Sequence, residues 1–220
     1  MRIEDHIGTG GFSNAQRAIF VALGSSAGIM PSLQPLLLGA MLDQHRIATA
    51  QIGQAAAAEA IGMALSVTVA SSMYRSTRLA PALLVALGLL AVTNIATAFS
   101  TGSIIVALRA IAGMGGGMLI WTLLAMVTRQ GNPGRVFAIY VSVQSALGFA
   151  ISTLFSRFLI PVAGPAGAYA TLAGINLLLC ATIAFIPRIE TAPSTRTHRL
   201  PPVSGLIALG GTALFMCGIM

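Results

Sequence analysis

The chain contains no lysine: all twelve of its Lys+Arg residues are arginine, set against five acidic residues and three histidines. Without lysine, a Walker-type phosphate loop, a Schiff-base enzyme and a Ser-Lys dyad are all excluded. Charge of either sign is scarce, at 8% of 220 residues, while 56% are apolar. Mean hydropathy is +0.88. A soluble domain of this length needs a far more charged surface, so the composition points to a membrane protein. The two cysteines cannot build a disulfide framework. Cys180 and Cys217 both lie in apolar runs and read as small packing residues. His6, His45 and His198 fall in tails or loops and offer no metal-site spacing. No cofactor is expected. No clustered nucleophile and base sit near one interface, so no enzyme is expected either.

What the sequence has is apolar runs long enough to cross a bilayer, which takes about 17 to 25 residues. The hydropathy predicts an all-α polytopic membrane protein with six spans: Ala18–Leu42, Gln51–Ser72, Leu79–Phe99, Ser103–Thr128, Val136–Ser156 and Gly167–Pro187. Residues 1–17 read as a cytoplasmic tail, polar and glycine-containing (Gly8, Gly10, Gly11), and not as a secretory signal. Residues 18–187 form the six-helix bundle, 188–202 a linker, and 203–220 the opening of a seventh span that stops short at Met220. Arg2, Arg17, Arg75, Arg78, Arg129, Arg135, Arg188, Arg196 and Arg199 fall on one side of these spans, and only Arg46 and Arg157 on the other. This alternation places the N-terminus inside, in a cytoplasmic (inner) membrane. The net charge of +7 is then mainly a topology signal. No basic patch with interleaved aromatics is present, so nucleic acid is not an expected partner.

One arginine is not in a loop. Arg109 lies six residues into the fourth span, roughly 9 Å along a helix. A charge at the bilayer centre costs about 3 kcal/mol on insertion scales, so such a residue is a functional-site candidate by default. The alternative is an arginine that snorkels to the outer headgroups. Arg109 heads a run in which Gly113, Gly116 and Gly117 permit close approach of another helix. Glu59 is the only acidic residue inside a span. The second and fourth spans run in the same direction, so Glu59 and Arg109 lie at similar depth. Pairing lowers the cost of both, and a Glu beside a cation can exchange a proton as the pair opens and closes. A purely structural ion pair is the competing reading.

Three further groups of residues are candidates. On the first span, Gly24, Gly28, Pro31 and Pro35 share a stripe suited to a bent, closely packed, gating helix, or to a merely tolerated kink. Gln34 beside it is a candidate for cavity lining. Tyr140 and Gln144 form a polar stripe with Gly148 on the fifth span, facing either a cavity or a hydrogen-bond partner on another helix. Asn94 and Asn176 read only as isolated polar contacts, and Trp121 as packing.

The stretch Ile105 through Gly117, with an aliphatic residue, an Arg four later and then Gly and small residues, resembles the fourth-helix motif of the major facilitator superfamily. Six spans with the N-terminus inside and a basic second-to-third loop are similar to the first half of such a transporter. The resemblance covers about Gln16 to Pro187. It implies one half of a twelve-helix fold, with the second six-helix half of the same chain as partner. It also implies a central cavity lined here mainly by helices one and four. In proton-coupled members that arginine is implicated in proton transfer, which implies the same role for Arg109. The inner loop keeps Arg75 and Arg78 as gate residues, but Tyr74 stands where the family has Asp and Thr77 where it has Gly. Val141–Ile151 contains no proline, unlike the fifth helix of drug/proton antiporters.

The expected function is secondary active transport of a small solute by alternating access, coupled to protons. The rival readings are a non-transporting membrane protein (a sensor or assembly partner) and an inactive half-transporter.

Overall fold

The computed structural model describes residues 14–73, 80–127 and 132–184, the side chains of 14–27, 72, 73 and 184 excepted. The described residues are helical almost throughout. Helix α1 spans Asn14–Asp43, α2 Thr49–Met73, α3 Ala80–Phe99, α4 Ser103–Val127, α5 Pro133–Leu154 and α6 Ile160–Ala184. A π-turn at Phe155–Leu159 joins α5 to α6 without a break. The linker and the seventh span expected over 188–220 lie outside the described residues.

Four stretches are long and apolar enough to cross a membrane: Thr49–Ser71, Ala80–Phe99, Ser103–Val127 and Pro133–Ile183. The sequence anticipates the second, third and fourth spans to within two residues at each end. It anticipates the last region poorly. A polar connection is expected over 157–165, yet the chain stays helical to Ala163, and Pro133–Ile183 is one apolar stretch of 51 residues. The break comes at Gly164, whose φ of 66° and ψ of −176° are non-helical. Pro161 lacks an N–H and would crowd the carbonyl of Arg157 in a regular helix; the wider π-turn just before it accommodates the ring.

Contacts set the helix directions. Glu59 and Met63 of α2 oppose Gly113 and Gly117 of α4, so this pair runs parallel. Gly28 and Ser32 of α1 oppose Gln144 and Gly148 of α5, a second parallel pair. Arg109 reaches Asn94 and Thr97, while Gly115 meets Ala86 and Leu90, so α3 and α4 are antiparallel. Cys180 of α6 approaches the Leu84 carbonyl of α3, while Leu172 and Tyr169 pack near Ala98, making α6 antiparallel to α3. The main apolar core gathers Leu33, Leu37, Leu38 and Met41 of α1 with Ile105, Ala168, Tyr169 and Leu172.

The tightest interface is α2 against α4. A Cβ built on Gly113 would overlap the Glu59 carbonyl oxygen, one on Gly62 the Ala110 carbonyl, and one on Gly117 the Met63 carbonyl. Backbones this close exclude any side chain between them. Gly113, Gly116 and Gly117 all face α2, at different distances. Gly113 and Gly117, four apart, touch α2, whereas a Cβ on Gly116 would meet only the Met63 side chain at 3.8 Å. Gly115 faces α3 instead.

A buried arginine site between α1, α2, α3, α4 and α6

Arg109 is fully buried, at 0% exposure. That removes the snorkelling alternative, which needs an exposed guanidinium. A buried charge requires compensation, and three neighbouring helices supply it. From α3, Arg109 Nη2 donates to Asn94 Oδ1 at 3.1 Å and to Thr97 Oγ1 at 2.9 Å. Thr97 accepts this bond while its own hydroxyl donates to the Thr93 carbonyl at 2.7 Å. From α2, Glu59 Oε2 lies 3.9 Å from Arg109 Nη1. From α6, the Tyr169 ring centroid is 5.0 Å from Arg109 Cζ, within cation–π range.

The ion pair is not closed. At 3.9 Å the Glu59 and Arg109 groups attract but do not hydrogen-bond. Glu59 Oε2 instead accepts from Gln34 Nε2 of α1 at 3.0 Å. The acid is thus held from one side by a neutral amide and faces the cation on the other. Arg109 Nη1 and Nε, Asn94 Nδ2 and Tyr169 Oη are buried without a hydrogen-bond partner among the described residues. Most buried polar atoms in proteins are paired. A cluster of spare donors around one guanidinium is therefore a site with unused bonding capacity.

Next to this site, Arg46 clamps the end of α3. Its Nη2 donates to the carbonyls of Thr97 at 3.3 Å, Ala98 at 2.8 Å and Ser100. Its own carbonyl accepts from the Gly102 amide at 2.8 Å. One residue of the α1–α2 turn so fixes the α3–α4 turn. Thr97 is held at both its groups, the carbonyl by Arg46 and the hydroxyl by Arg109.

Of the residues singled out in the sequence, the structure brings Arg109, Glu59 and Gln34 together. Tyr140 and Gln144 are not in this group. Tyr140 packs with Leu123, Met126 and Val127, its ring 6.0 Å from that of Phe137. Gln144 lies over Gly28 at the α1–α5 contact. Pro31 and Pro35 lie inside a continuous α1. Pro35 borders an open groove of about 320 Å³ with Gly39, Asp43, Ser156 and Ile160, and Arg109 does not line it. The Gly24 environment and the loop residues Arg75 and Arg78 lie outside the described residues. The sequence reading missed Thr97, Tyr169 and Arg46, and undervalued Asn94. Asn94 and Thr97 are three apart on α3, one face of an otherwise apolar span, and that spacing was the available signal. Nothing in the sequence marks Tyr169. No group of three or more His, Cys, Asp or Glu suited to a metal occurs among the described residues.

Comparison with known protein families finds none that matches the chain, and no curated protein matches it either.

Proposed function

We propose that the chain is a membrane transporter of the major facilitator type, moving a small solute by alternating access with coupling to protons. The observation that carries this reading is the open Glu59–Arg109 pair in fully buried surroundings: a carboxylate 3.9 Å from a guanidinium, neither group bonded to the other. Intramembrane ionisable residues mark ion pathways and proton relays. In the proposed cycle Glu59 takes a proton onto its carboxylate, loses its attraction for Arg109, and leaves the guanidinium to Asn94 and Thr97. Deprotonation returns the negative charge and draws Arg109 back. Gln34 reports the state of Glu59 to α1 through their hydrogen bond. The motif-like run Ile105–Gly117 and the arginine distribution support the family assignment, six spans, and an N-terminus inside the cytoplasmic membrane. The reading requires a second bundle facing this one across the solute path.

The test is flux in proteoliposomes holding the full chain and a trapped pH dye, challenged with labelled organic anions, sugars and amino acids. We expect solute-dependent proton movement by the native protein. Arg109→Ala and Glu59→Gln should lose accumulation driven by a pH gradient while Glu59→Gln retains solute exchange. Folded protein that moves no proton with any solute would make the pair structural and sink the transporter reading.

A further inference from the structure

Arg109 meets two sets of partners through different nitrogens. The hydrogen bonds to Asn94 and Thr97 hold Nη2 at 3.1 and 2.9 Å. Glu59 waits at 3.9 Å from Nη1. Closing that gap to a charge-assisted hydrogen bond of about 2.8 Å needs a relative shift of roughly 1.1 Å. A guanidinium that makes this shift strains the Nη2 bonds to α3 as Nη1 gains Glu59. A contact that does not depend on direction would hold the buried cation while those bonds lengthen.

The Tyr169 ring meets that requirement. Attraction to a ring face falls off gently and extends to about 6 Å from the centroid. Arg109 Cζ stands at 5.0 Å, so a shift of the needed size along the ring face, and not away from it, keeps it on the ring. Tyr169 is itself fully buried and is seated by the α1 core residues around it, so the face is fixed. We propose that Tyr169 is a positioning residue for Arg109: its ring is a platform on which the guanidinium slides between Asn94/Thr97 and Glu59. That this sliding serves proton coupling rests on the transporter reading; the platform itself does not. Tyr169 Oη has no partner among the described residues, so the ring and not the hydroxyl carries the role. The charged groups facing Arg109 are Glu59 from α2 and, beyond Thr97, Arg46, whose Nη2 is engaged by carbonyl oxygens.

The experiment compares Tyr169→Phe, Tyr169→Leu and Tyr169→Met in the full chain. In bilayers with ¹⁵N-labelled arginine, solid-state NMR reads the Arg109 guanidinium, assigned by its loss in Arg109→Lys. We expect an upfield-shifted, rotationally restrained signal in the native protein and in Tyr169→Phe. Leu or Met should return it to the range of the other arginines. Met covers the case in which Leu does not fold. Equal spectra for Phe and for a folded aliphatic variant overturn the proposal. In proteoliposomes, the aliphatic variants should lose gradient-driven uptake by about tenfold or more, while solute exchange persists. Uptake retained in an aliphatic variant overturns the coupling role of the platform. Absence of flux in the native protein defeats the transporter reading alone, and the NMR comparison still decides the platform.

Discussion

Replacing Gly113 by alanine is the most direct way to disturb the arginine site without touching its side chains. The added Cβ would fall on the Glu59 carbonyl oxygen, 2.9 Å from Glu59 C and 3.0 Å from Glu59 Cα. Non-bonded carbons rest about 3.5–4.0 Å apart, so α2 must retreat from α4 by roughly 0.5–1 Å. Backbone cannot rotate aside as a flexible side chain does. Overpacking of this kind costs about 1–3 kcal/mol. The retreat also carries Glu59 away from Arg109, beyond the present 3.9 Å. Gly116→Ala is the internal control. Its Cβ would meet Met63 Cγ at 3.8 Å, an ordinary contact, and removing a helix glycine gains up to about 1 kcal/mol. That gain applies equally to Gly113→Ala and cancels, so the two variants should differ by roughly 1–3 kcal/mol, with Gly113→Ala the weaker. Reversible unfolding in mixed micelles measures that difference. Equal stability of the two variants would refute the argument that backbone contact at Gly113 sets the helix spacing.

Arg46→Gln should destabilise by about 1.5 kcal/mol, because it removes a charged donor from the last carbonyls of α3; Arg46→Lys should recover only part, since an ammonium cannot copy the guanidinium fork. Thermal unfolding checks both. Gly164→Ala places a side chain at φ 66°, ψ −176°, a region open essentially to glycine, and should lower stability by about 1–3 kcal/mol in the same assay. Asn94→Leu leaves Arg109 Nη2 with Thr97 alone and should cost about 1–3 kcal/mol; unchanged stability would mean that Asn94 does not compensate the buried charge.

The apolar runs made α2, α3 and α4 legible because polar or glycine-containing segments interrupt them sharply, as at Ser100–Gly102. Between α5 and α6 the interruption is weak. A single Arg157 flanked by Phe155, Phe158, Leu159 and Ile160 does not stop a helix, and the chain turns only where Gly164 permits a positive φ. The polar core was half legible. Arg109 and Glu59 stand out as the charges in apolar spans, and matching depth suggested their proximity. Asn94, Thr97 and Tyr169 converge on Arg109 from helices whose rotation is set by packing, and rotation is not written in hydropathy. The glycines of α4 serve two neighbours: 113, 116 and 117 face α2, while 115, which the sequence reading did not single out, faces α3.

Arg46 precedes the carbonyls it binds by 51 to 54 residues. During synthesis its guanidinium emerges well before α3 and α4 exist, and so it waits in water as an ordinary loop cation. The clasp is completed only once the following hairpin has arrived and its turn at Ser100–Gly102 has closed. The clasp thus exists only when both hairpins are in place. A chain in which α3 or α4 inserts late or upside down keeps a free cation at the end of its first hairpin, and a chain that inserts correctly hides it. Chemical labelling of that guanidinium during biogenesis distinguishes the two populations before either has been asked to perform any function.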